Sequence, residues 1–330
     1  MDALYGGEVL SQKEIVMITK RERYRGAMVG VLAGDALLAP YETWTAEKVK
    51  EDLEKRGGLV SFDYPDPWNR GGIFPKGKPT DDSDQTAALA ESLIACRGLN
   101  EEDLFNRLRN VTFGHVSPLW GGKAVGAGKT TRDALRPLTY AESQARVRDP
   151  SAYPSNGSLM RSAPLALFYG TFDNIEPDVV ERASKVTHEH EFSIDCCCAY
   201  VATLANLSEG HDAEYAIKSH IGFSLSDHVS VHAGNTMPAD PGQWPGRGHV
   251  GLTLQIAYWA LIHASDFRDG LTKVAMIGGD TDTYGAVAGG LLGAKFGLEG
   301  IPQEWRDVLI GYEKMISLAD QLYDIAHSRS

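Results

Sequence analysis

Apolar residues recur at helical spacing along most of this chain, and alternating apolar and polar runs are scarce. Segment 58–62 is a modest strand candidate, and Gly-, Pro-, Asn- and Asp-rich loops are expected at 64–79, 146–157 and 229–248. The pattern therefore predicts an all-α fold. Helices are predicted over residues 25–38, 86–96, 101–113, 159–169, 177–187, 192–207, 252–264, 283–296, 302–310 and 313–327.

Two of these helices are rich in small residues. Segment 25–38 is dominated by Ala, Gly and Leu, which indicates a closely packed inner helix. Segment 283–296, TYGAVAGGLLGAKF, contains too much glycine to be stable as an isolated helix. We therefore expect this helix to form only where tight burial stabilises it.

Composition and charge narrow the class of protein. The 330 residues are 43% hydrophobic and 23% charged, as is usual for a globular protein, and no internal repeat or flexible linker is evident. The net charge of −12 disfavours nonspecific nucleic-acid binding, since that depends on cationic side chains. No apolar run could cross a bilayer, and the first residues lack the features of a secretory signal, so a cytoplasmic protein without membrane association is expected.

Four cysteines carry little redox information. Cys196, Cys197 and Cys198 are consecutive within an apolar helical segment and cannot form a disulfide framework. Zinc binding with His188 and His190 is an alternative, but no C-x-x-C pair supports it. The cysteines are therefore interpreted as small buried apolar side chains.

Two short acidic clusters are the main chemical feature of the chain. They span residues 80–84 (TDDSD) and 278–283 (GGDTDT), and each precedes an apolar helical run. Helix capping explains one or two of these acids, but not so many in each cluster. Carboxylates crowded against a core need protons or cations, and hard oxygen ligands suit Mg, Mn or Ca. The clusters are therefore predicted to be two halves of one divalent-metal site.

Other polar positions have both structural and chemical interpretations. Asp35 is expected to accept hydrogen bonds from a turn, whereas Glu42 is a candidate for a mobile catalytic or gating carboxylate. The glycine-rich segment 121–130 superficially resembles a phosphate-binding P-loop, but its glycine spacing is wrong. The loop 155–158 (SNGS) precedes a helix and is either an ordinary cap or a phosphate site. Taken singly, His188 and the aromatic residues Phe113, Tyr153 and Tyr284 are more typical of structural or core positions.

In combination, these segments resemble the ADP-ribosylglycohydrolase family (DraG-like or ARH-type ADP-ribosylhydrolases). The matching segments are RGAMVGVLAGDALLAPYE, TDDSDQTAALAESL, GAGKTTR, SNGSLMRSAPLALFY, THEHEFSIDCCCAY and GGDTDTYGAVAGGLLGAKFG, in the order of the family. The resemblance implies a compact single-domain orthogonal helix bundle, residues 23–330, with a binuclear metal cleft. Residues 1–22 are expected to be an N-terminal extension.

The resemblance also implies roles for individual residues. Two Mg (or Mn) ions are expected at Thr80, Asp81, Asp82, Asp280, Asp282 and Thr283. The expected catalytic groups are Glu42, Asp81 and Asp280. The expected ligand-binding residues are Gly126, Gly128, Ser155, Asn156, Gly157, Ser158 and His188. The first twenty residues and the loop 226–249 have no clear family counterpart, and that loop is a candidate determinant of substrate choice.

The implied reaction is hydrolysis at the anomeric carbon of the distal ribose, releasing ADP-ribose from a modified protein or a small conjugate. A metal-oriented water attacks while a carboxylate handles protons. Arginine-linked substrate is favoured over serine-linked substrate or O-acetyl-ADP-ribose. Two alternatives stay open: a member that binds ADP-ribose without turnover, and a two-metal phosphohydrolase that cleaves a nucleotide diphosphate.

Overall fold

The computed structural model describes residues 17–66, 72–146, 153–218 and 246–328. Helices account for most of these residues, which confirms the all-α prediction. The α-helices are α1 Lys20–Leu38, α2 Ala46–Arg56, α3 Asp81–Cys96, α4 Glu101–Arg109, α5 Lys129–Leu135, α6 Tyr140–Gln144, α7 Ala163–Tyr169, α8 Pro177–Lys185, α9 Glu191–Glu209, α10 Ala213–Lys218, α11 Val250–His263, α12 Phe267–Ala275, α13 Thr281–Phe296, α14 Gln303–Arg306 and α15 Tyr312–Ser328. Short 3₁₀ turns lie at Ala39–Tyr41, Phe172–Asn174 and Leu298–Gly300, and a π turn lies at Asn110–Gly114.

The strand prediction was wrong. Segment 58–62 forms no strand, and the strands present are β1, Tyr64–Pro65, and β2, Ile73–Phe74, inside the predicted loop 64–79. They pair antiparallel, with Tyr64 opposite Phe74. Strands of two residues are too short to show an alternating pattern, so periodicity could not find them.

Several short helices were not predicted, and two predicted helices are too long. In α2 only Val49 and Leu53 are buried, so the charged surface of the helix hid its apolar pair. The predicted helix 302–310 shrinks to α14, and the predicted helix 159–169 begins only at α7. Most of the predicted loop 229–248 lies outside the described residues.

The centre of the fold is an antiparallel contact between α1 and α13. Both helices are buried along almost their whole length. Glycines occur every fourth residue on the facing sides, and they bring the two backbones into direct contact. A Cβ added at Gly30 would lie 2.1 Å from the carbonyl oxygen of Gly289, and one added at Gly289 would lie 2.1 Å from that of Gly30. The same reciprocal contact joins Gly26 to Gly293 and Gly34 to Gly285. The predicted inner helices are therefore confirmed, and each stabilises the other by burial.

This contact aligns the end of α1 with the start of α13. The Thr281 hydroxyl donates a hydrogen bond to the Leu38 carbonyl oxygen at 2.9 Å, which satisfies one free carbonyl at the end of α1. Asp35, one residue after Gly34, consequently lies close to the beginning of α13. The geometry of two packed helices thus brings together acids that are far apart in the sequence.

The cysteines take no part in disulfides. Cys196 and Cys197 are buried in α9, Cys198 is partly buried and Cys96 is exposed. The thiol of Cys197 donates to the Ser158 hydroxyl at 3.4 Å. Within the described ranges, no helix is both long and apolar enough to cross a membrane.

The glycine contact makes a stability prediction. Gly289→Ala should lower the free energy of unfolding by about 1–3 kcal/mol, because the added methyl group collides with backbone that can move only if α1 shifts. Alanine is otherwise the better helix former by about 1 kcal/mol, so the collision must outweigh this gain. Urea unfolding measures the change. Gly98→Ala is the control, since nothing lies within 4 Å of a Cβ there. Equal or greater stability of Gly289→Ala would contradict the proposed close packing.

Candidate active site

The two acidic clusters meet at one cavity of about 340 Å³. The first cluster occupies the start of α3 and the second occupies the start of α13, so both helix N-termini point towards it. The positive end of the helix dipole favours carboxylates at these positions. Twelve of the predicted site residues line the cavity: Glu42, Asp81, Asp82, Gly126, Gly128, Ser155, Asn156, Gly157, His188, Asp280, Asp282 and Thr283.

Asp35 supplies the N-terminal cap of α3 from the neighbouring helix. Its carboxylate accepts hydrogen bonds from the backbone N–H groups of Thr80 and Ser83, each at 3.0 Å, and from both hydroxyls. Thr80, at the N-cap position of α3, makes no capping bond with its own side chain. The structural interpretation of Asp35 is confirmed. Because Asp35 caps α3, the acids at the start of α3 are not needed as its N-cap.

The hydrogen bonds of the acids around the cavity do not compensate for the cost of burying these carboxylates. Asp81, Asp82 and Asp282 are 6%, 2% and 5% exposed. Burial raises the pKa of each well above its usual range, and the neighbouring carboxylates raise it further. Asp82 Oδ1 is buried without any hydrogen-bond partner. An orphaned buried carboxylate oxygen calls for a proton or a cation.

Glu42 completes a set of three carboxylates with Asp280 and Asp282. One carboxylate oxygen from each residue lies within 4.8 Å of the others. Burial, followed by the charges of Asp280 and Asp35, raises the pKa of Glu42 to about 7. Such a set of hard oxygen ligands fits a divalent cation of the Mg or Mn type. Among the described residues, no cysteine–histidine group of comparable closeness is found, so the zinc interpretation has no support.

The loop that carries Glu42 is joined to the turn before α13. The Thr43 N–H donates to the Gly279 carbonyl oxygen at 2.6 Å, and the Gly279 N–H donates to the Trp44 carbonyl oxygen at 2.9 Å. Thr43 has a φ of 69°, an unfavourable region for threonine that these bonds maintain. Arg247 also donates to the Thr43 carbonyl oxygen at 2.8 Å. The position of Glu42 is therefore coupled to the Gly278–Gly279 turn.

Two amide side chains orient carboxylates of the cavity. Asn156 Nδ2 donates to Asp280 Oδ2 at 2.8 Å and to the Thr253 hydroxyl at 2.9 Å. Gln85 Nε2 donates to Asp81 Oδ2 at 2.6 Å. Hydrogen bonds of this kind fix the orientation of a carboxylate and are typical of the surroundings of metal sites.

Arg161 connects the Gln85–Asp81 hydrogen bond to the predicted ligand loop 155–158. The side chain is 1% exposed, and burial lowers its pKa to about 10. Its guanidinium donates to Gln85 Oε1 at 3.0 Å, to the Gly157 carbonyl oxygen at 3.1 Å and to the Thr187 hydroxyl at 2.6 Å. The Thr187 hydroxyl lies 2.7 Å from His188 Nδ1. A single buried cation therefore links Asp81, the 155–157 loop and His188. Sequence reasoning missed it, although Arg161 directly follows the SNGSLM segment.

Two predicted site residues lie behind the cavity wall. The Thr80 hydroxyl contacts Asp35 Oδ1 at 2.9 Å and Asp82 Oδ2 at 3.1 Å. The Ser158 hydroxyl accepts hydrogen bonds from Ser184 at 2.9 Å and from Cys197. Neither residue lines the cavity, so their predicted contacts with metal and ligand are not supported by their position.

Other cavity residues were not singled out by the sequence. Tyr153, interpreted as more typical of the core, is 39% exposed and lines the cavity. Phe113 is also exposed, whereas Tyr284 is buried as expected. Lys129, Thr130 and Thr131 follow the predicted ligand glycines in GAGKTTR, and that adjacency could have identified them. Thr43 and Met160 also line the wall without having been predicted, whereas Arg247 and Gly248 belong to the predicted loop 226–249 and Gly279 to the predicted cluster 278–283.

Comparison with known proteins agrees with this geometry. The ADP-ribosylglycohydrolase family profile matches residues 17–330. ADP-ribosylarginine hydrolase Tri1 of Pseudomonas putida is 27% identical over 308 residues, covering 92% of this chain and 79% of that protein. The ADP-ribosyl-[dinitrogen reductase] glycohydrolase of Rhodospirillum rubrum is 27% identical over 286 residues, covering 86% of this chain and 89% of that protein.

A solved structure is similar over the same range. It is described as an ADP-ribosylglycohydrolase-related protein complex, with 30% identity, a TM-score of 0.69 and coverage of 93% of this chain and 99% of that one. The profile spans nearly the whole sequence, and the fold and acidic cavity are consistent with it. The chain therefore belongs to the ADP-ribosylglycohydrolase family and is an ADP-ribosylhydrolase.

Proposed function

We propose that this enzyme uses two Mg (or Mn) ions to hydrolyse the bond between ADP-ribose and an arginine side chain of a modified protein. The observation that carries the metal proposal is the convergence of buried carboxylates from α3 and α13, with an unpartnered Asp82 oxygen, on one cavity. Arginine linkage is supported by the name of the Pseudomonas relative. It is also supported by charge, since an acid-rich cavity suits a cationic guanidinium group.

Different groups of residues have different proposed roles around the cavity. Asp81, Asp82, Asp280, Asp282 and Thr283 would hold the cations, and Thr80 would support Asp82 from behind the cavity wall through its hydroxyl contact at 3.1 Å. The 155–157 loop, Gly128 and His188 would hold the ADP portion, and Gly126, which packs against Asp81, would contact the ribose that faces the cations. When bound, the metal ions would orient the ribose hydroxyls and water and stabilise developing negative charge.

Glu42 is the proposed proton acceptor. It lines the cavity beside Asp280 and Asp282, and its pKa of about 7 suits proton transfer near neutral pH. In this proposal it accepts the proton of the attacking water as the C–O bond forms, and that proton passes to the guanidine nitrogen that departs when the C–N bond breaks. The bonds of Thr43 to Gly279 and Arg247 position its carboxylate.

The substrate and metal proposals are tested by product analysis. Arginine-linked, serine-linked and acetyl-linked ADP-ribose are incubated with the enzyme in Mg, Mn or EDTA. We expect free ADP-ribose from the arginine-linked substrate with Mg or Mn, and loss of the activity in EDTA. AMP as the product would indicate the phosphohydrolase alternative, and binding without any product would indicate the non-hydrolytic alternative.

Matched variants assign that activity to the acidic clusters. Asp282→Asn should lower kcat/KM by about 100-fold or more and weaken Mg binding measured by calorimetry, because it removes a buried charge from the proposed metal set. Glu51→Gln removes a charge from an exposed position of α2 and should have no such effect. Full activity of Asp282→Asn would refute the metal assignment.

The proton-transfer role of Glu42 makes a separate prediction. Glu42→Gln should lower kcat by about 100- to 10,000-fold, because the amide cannot accept the proton. Residual activity should lose the part of the pH dependence that arises from titration of Glu42 in the metal-loaded enzyme. Calorimetry provides the control: Mg binding should persist. Loss of Mg binding together with activity would instead make Glu42 a metal ligand.

The raised pKa values predict that the metal-free protein becomes less stable as pH rises. Burial raises the pKa of Asp35 to about 6 and that of Glu42 to about 7, from ordinary values of 3.8 and 4.5. The folded state therefore holds protons that the unfolded chain releases, and this stabilisation is lost as pH rises through the folded values. The Tm of the EDTA-treated protein should fall between about pH 4.5 and about pH 7.5, in line with these shifts. Mg should restore Tm most at the upper end of this range. A Tm that rises over this range in EDTA would contradict the proposed uncompensated charge.

A further inference from the structure

A second cavity, of about 290 Å³, adjoins the first. Asp81 and Gly126 line both cavities and mark the place where they meet. The second cavity is lined by the π turn Asn110–Gly114, His115, the segment 123–127 and Arg132 of α5. A Cβ at Gly126 would lie 2.2 Å from Asp81 Oδ1, and the φ of this residue is +113°. A glycine backbone therefore packs directly against the proposed metal ligand at this junction.

Thr112 provides an unused polar group in this second cavity. It is 5% exposed and lines the cavity, and its hydroxyl is buried without a hydrogen-bond partner. Buried hydroxyls almost always have a partner, and a turn of the Thr112 side chain about χ1 towards the cavity would give this one a partner on a bound ligand. It belongs to a π turn, a feature that occurs frequently at functional sites.

The charged groups around the second cavity are mostly basic. His115, Lys123 and Arg132 line it and are exposed, and His115 adopts a left-handed backbone conformation with a φ of 52°. Its lining contains one acid, Asp81, which the proposed metal ions would neutralise. In a chain of net charge −12, this is a local concentration of positive charge. Such a surface attracts an anionic group.

The position of the cavity indicates which part of the substrate reaches it. Asn156, Gly157 and His188, on the proposed nucleotide side, line the first cavity and not the second. The second cavity begins at Asp81, a proposed metal ligand beside the scissile bond. A group that extends past this carboxylate belongs to the leaving side of the substrate.

We propose that the second cavity binds an acidic side chain of the modified protein, next to the ADP-ribosylated residue. Lys123 and Arg132 would attract its carboxylate, and the Thr112 hydroxyl would donate a hydrogen bond to it. This subsite rests on the proposed function, because the leaving side is defined by that reaction. It would make the enzyme select its target by the residue beside the modification.

Two ADP-ribosylarginine peptides test the subsite. They differ only in whether the residue beside the modified arginine is glutamate or its neutral counterpart glutamine. The wild-type enzyme should show a kcat/KM for the glutamate peptide about two- to fivefold higher, the range for an exposed ion pair. The preference should weaken as salt concentration rises.

Variants locate the preference within the molecule. Lys123→Ala should bring the ratio of the two kcat/KM values close to one, and Thr112→Val should reduce it without altering side-chain size. Lys50→Ala removes an equal charge from the exposed face of α2 and should leave the ratio unchanged. Equal rates for the two peptides, or an equal effect of Lys50→Ala and Lys123→Ala, would overturn the proposal.

Peptide-binding measurements distinguish an error in the subsite proposal from an error in the proposed function. If neither peptide releases ADP-ribose, the proposed reaction is wrong. The Kd values of the two fluorescently labelled peptides, measured by anisotropy, then decide the subsite. Tighter binding of the glutamate peptide that requires Lys123 supports it, and equal Kd values refute it.

Discussion

The contact between α1 and α13 is the constraint on which the rest of the molecule depends. Glycines at every fourth position allow the backbones to touch, so the register of the two helices is fixed by sterics rather than by adaptable side chains. That register brings Asp35 and the Glu42 turn against the start of α13. A small change in helix separation would therefore move the two halves of the acidic cavity relative to each other.

The site works against the stability of the fold. Asp81, Asp82 and Asp282 are buried near one another, where ionised carboxylates repel and lack water. The cost of burying the Asp35 carboxylate is offset by four hydrogen-bond donors from Thr80 and Ser83. The carboxylates that face the cavity have no comparable set of donors among the described residues. Such a cluster is retained where cations neutralise it, which is why its electrostatics and its proposed chemistry have the same cause.

A hydrogen-bond network extends the site well beyond the metal-facing acids. Arg161 contacts Gln85, Gly157 and Thr187, and through them reaches Asp81 and His188. Because the guanidinium is planar and buried, it links the loop 155–157 and Thr187 to the side of the cavity that carries Asp81. This network suits the proposed reaction, which requires accurate alignment of ribose and water.

The sequence by itself determined the fold class and most of the residues of the site. Helical periodicity identified the long helices, and the crowding of acids in TDDSD and GGDTDT identified the carboxylates that converge on the cavity, because both signals are local. Short elements such as β1, β2 and α2 were missed, since two residues or one buried pair carry too little pattern.

Only the tertiary structure decided how these local features combine. It showed that Asp35 caps α3 from another helix, that Asn156 is directed towards Asp280, and that Arg161 joins the two sides of the cavity. It also placed Thr80 and Ser158 behind the wall and Tyr153 in it. Side-chain direction and partner choice depend on how separate helices pack, and contacts between residues far apart in sequence leave no periodic signal along the chain.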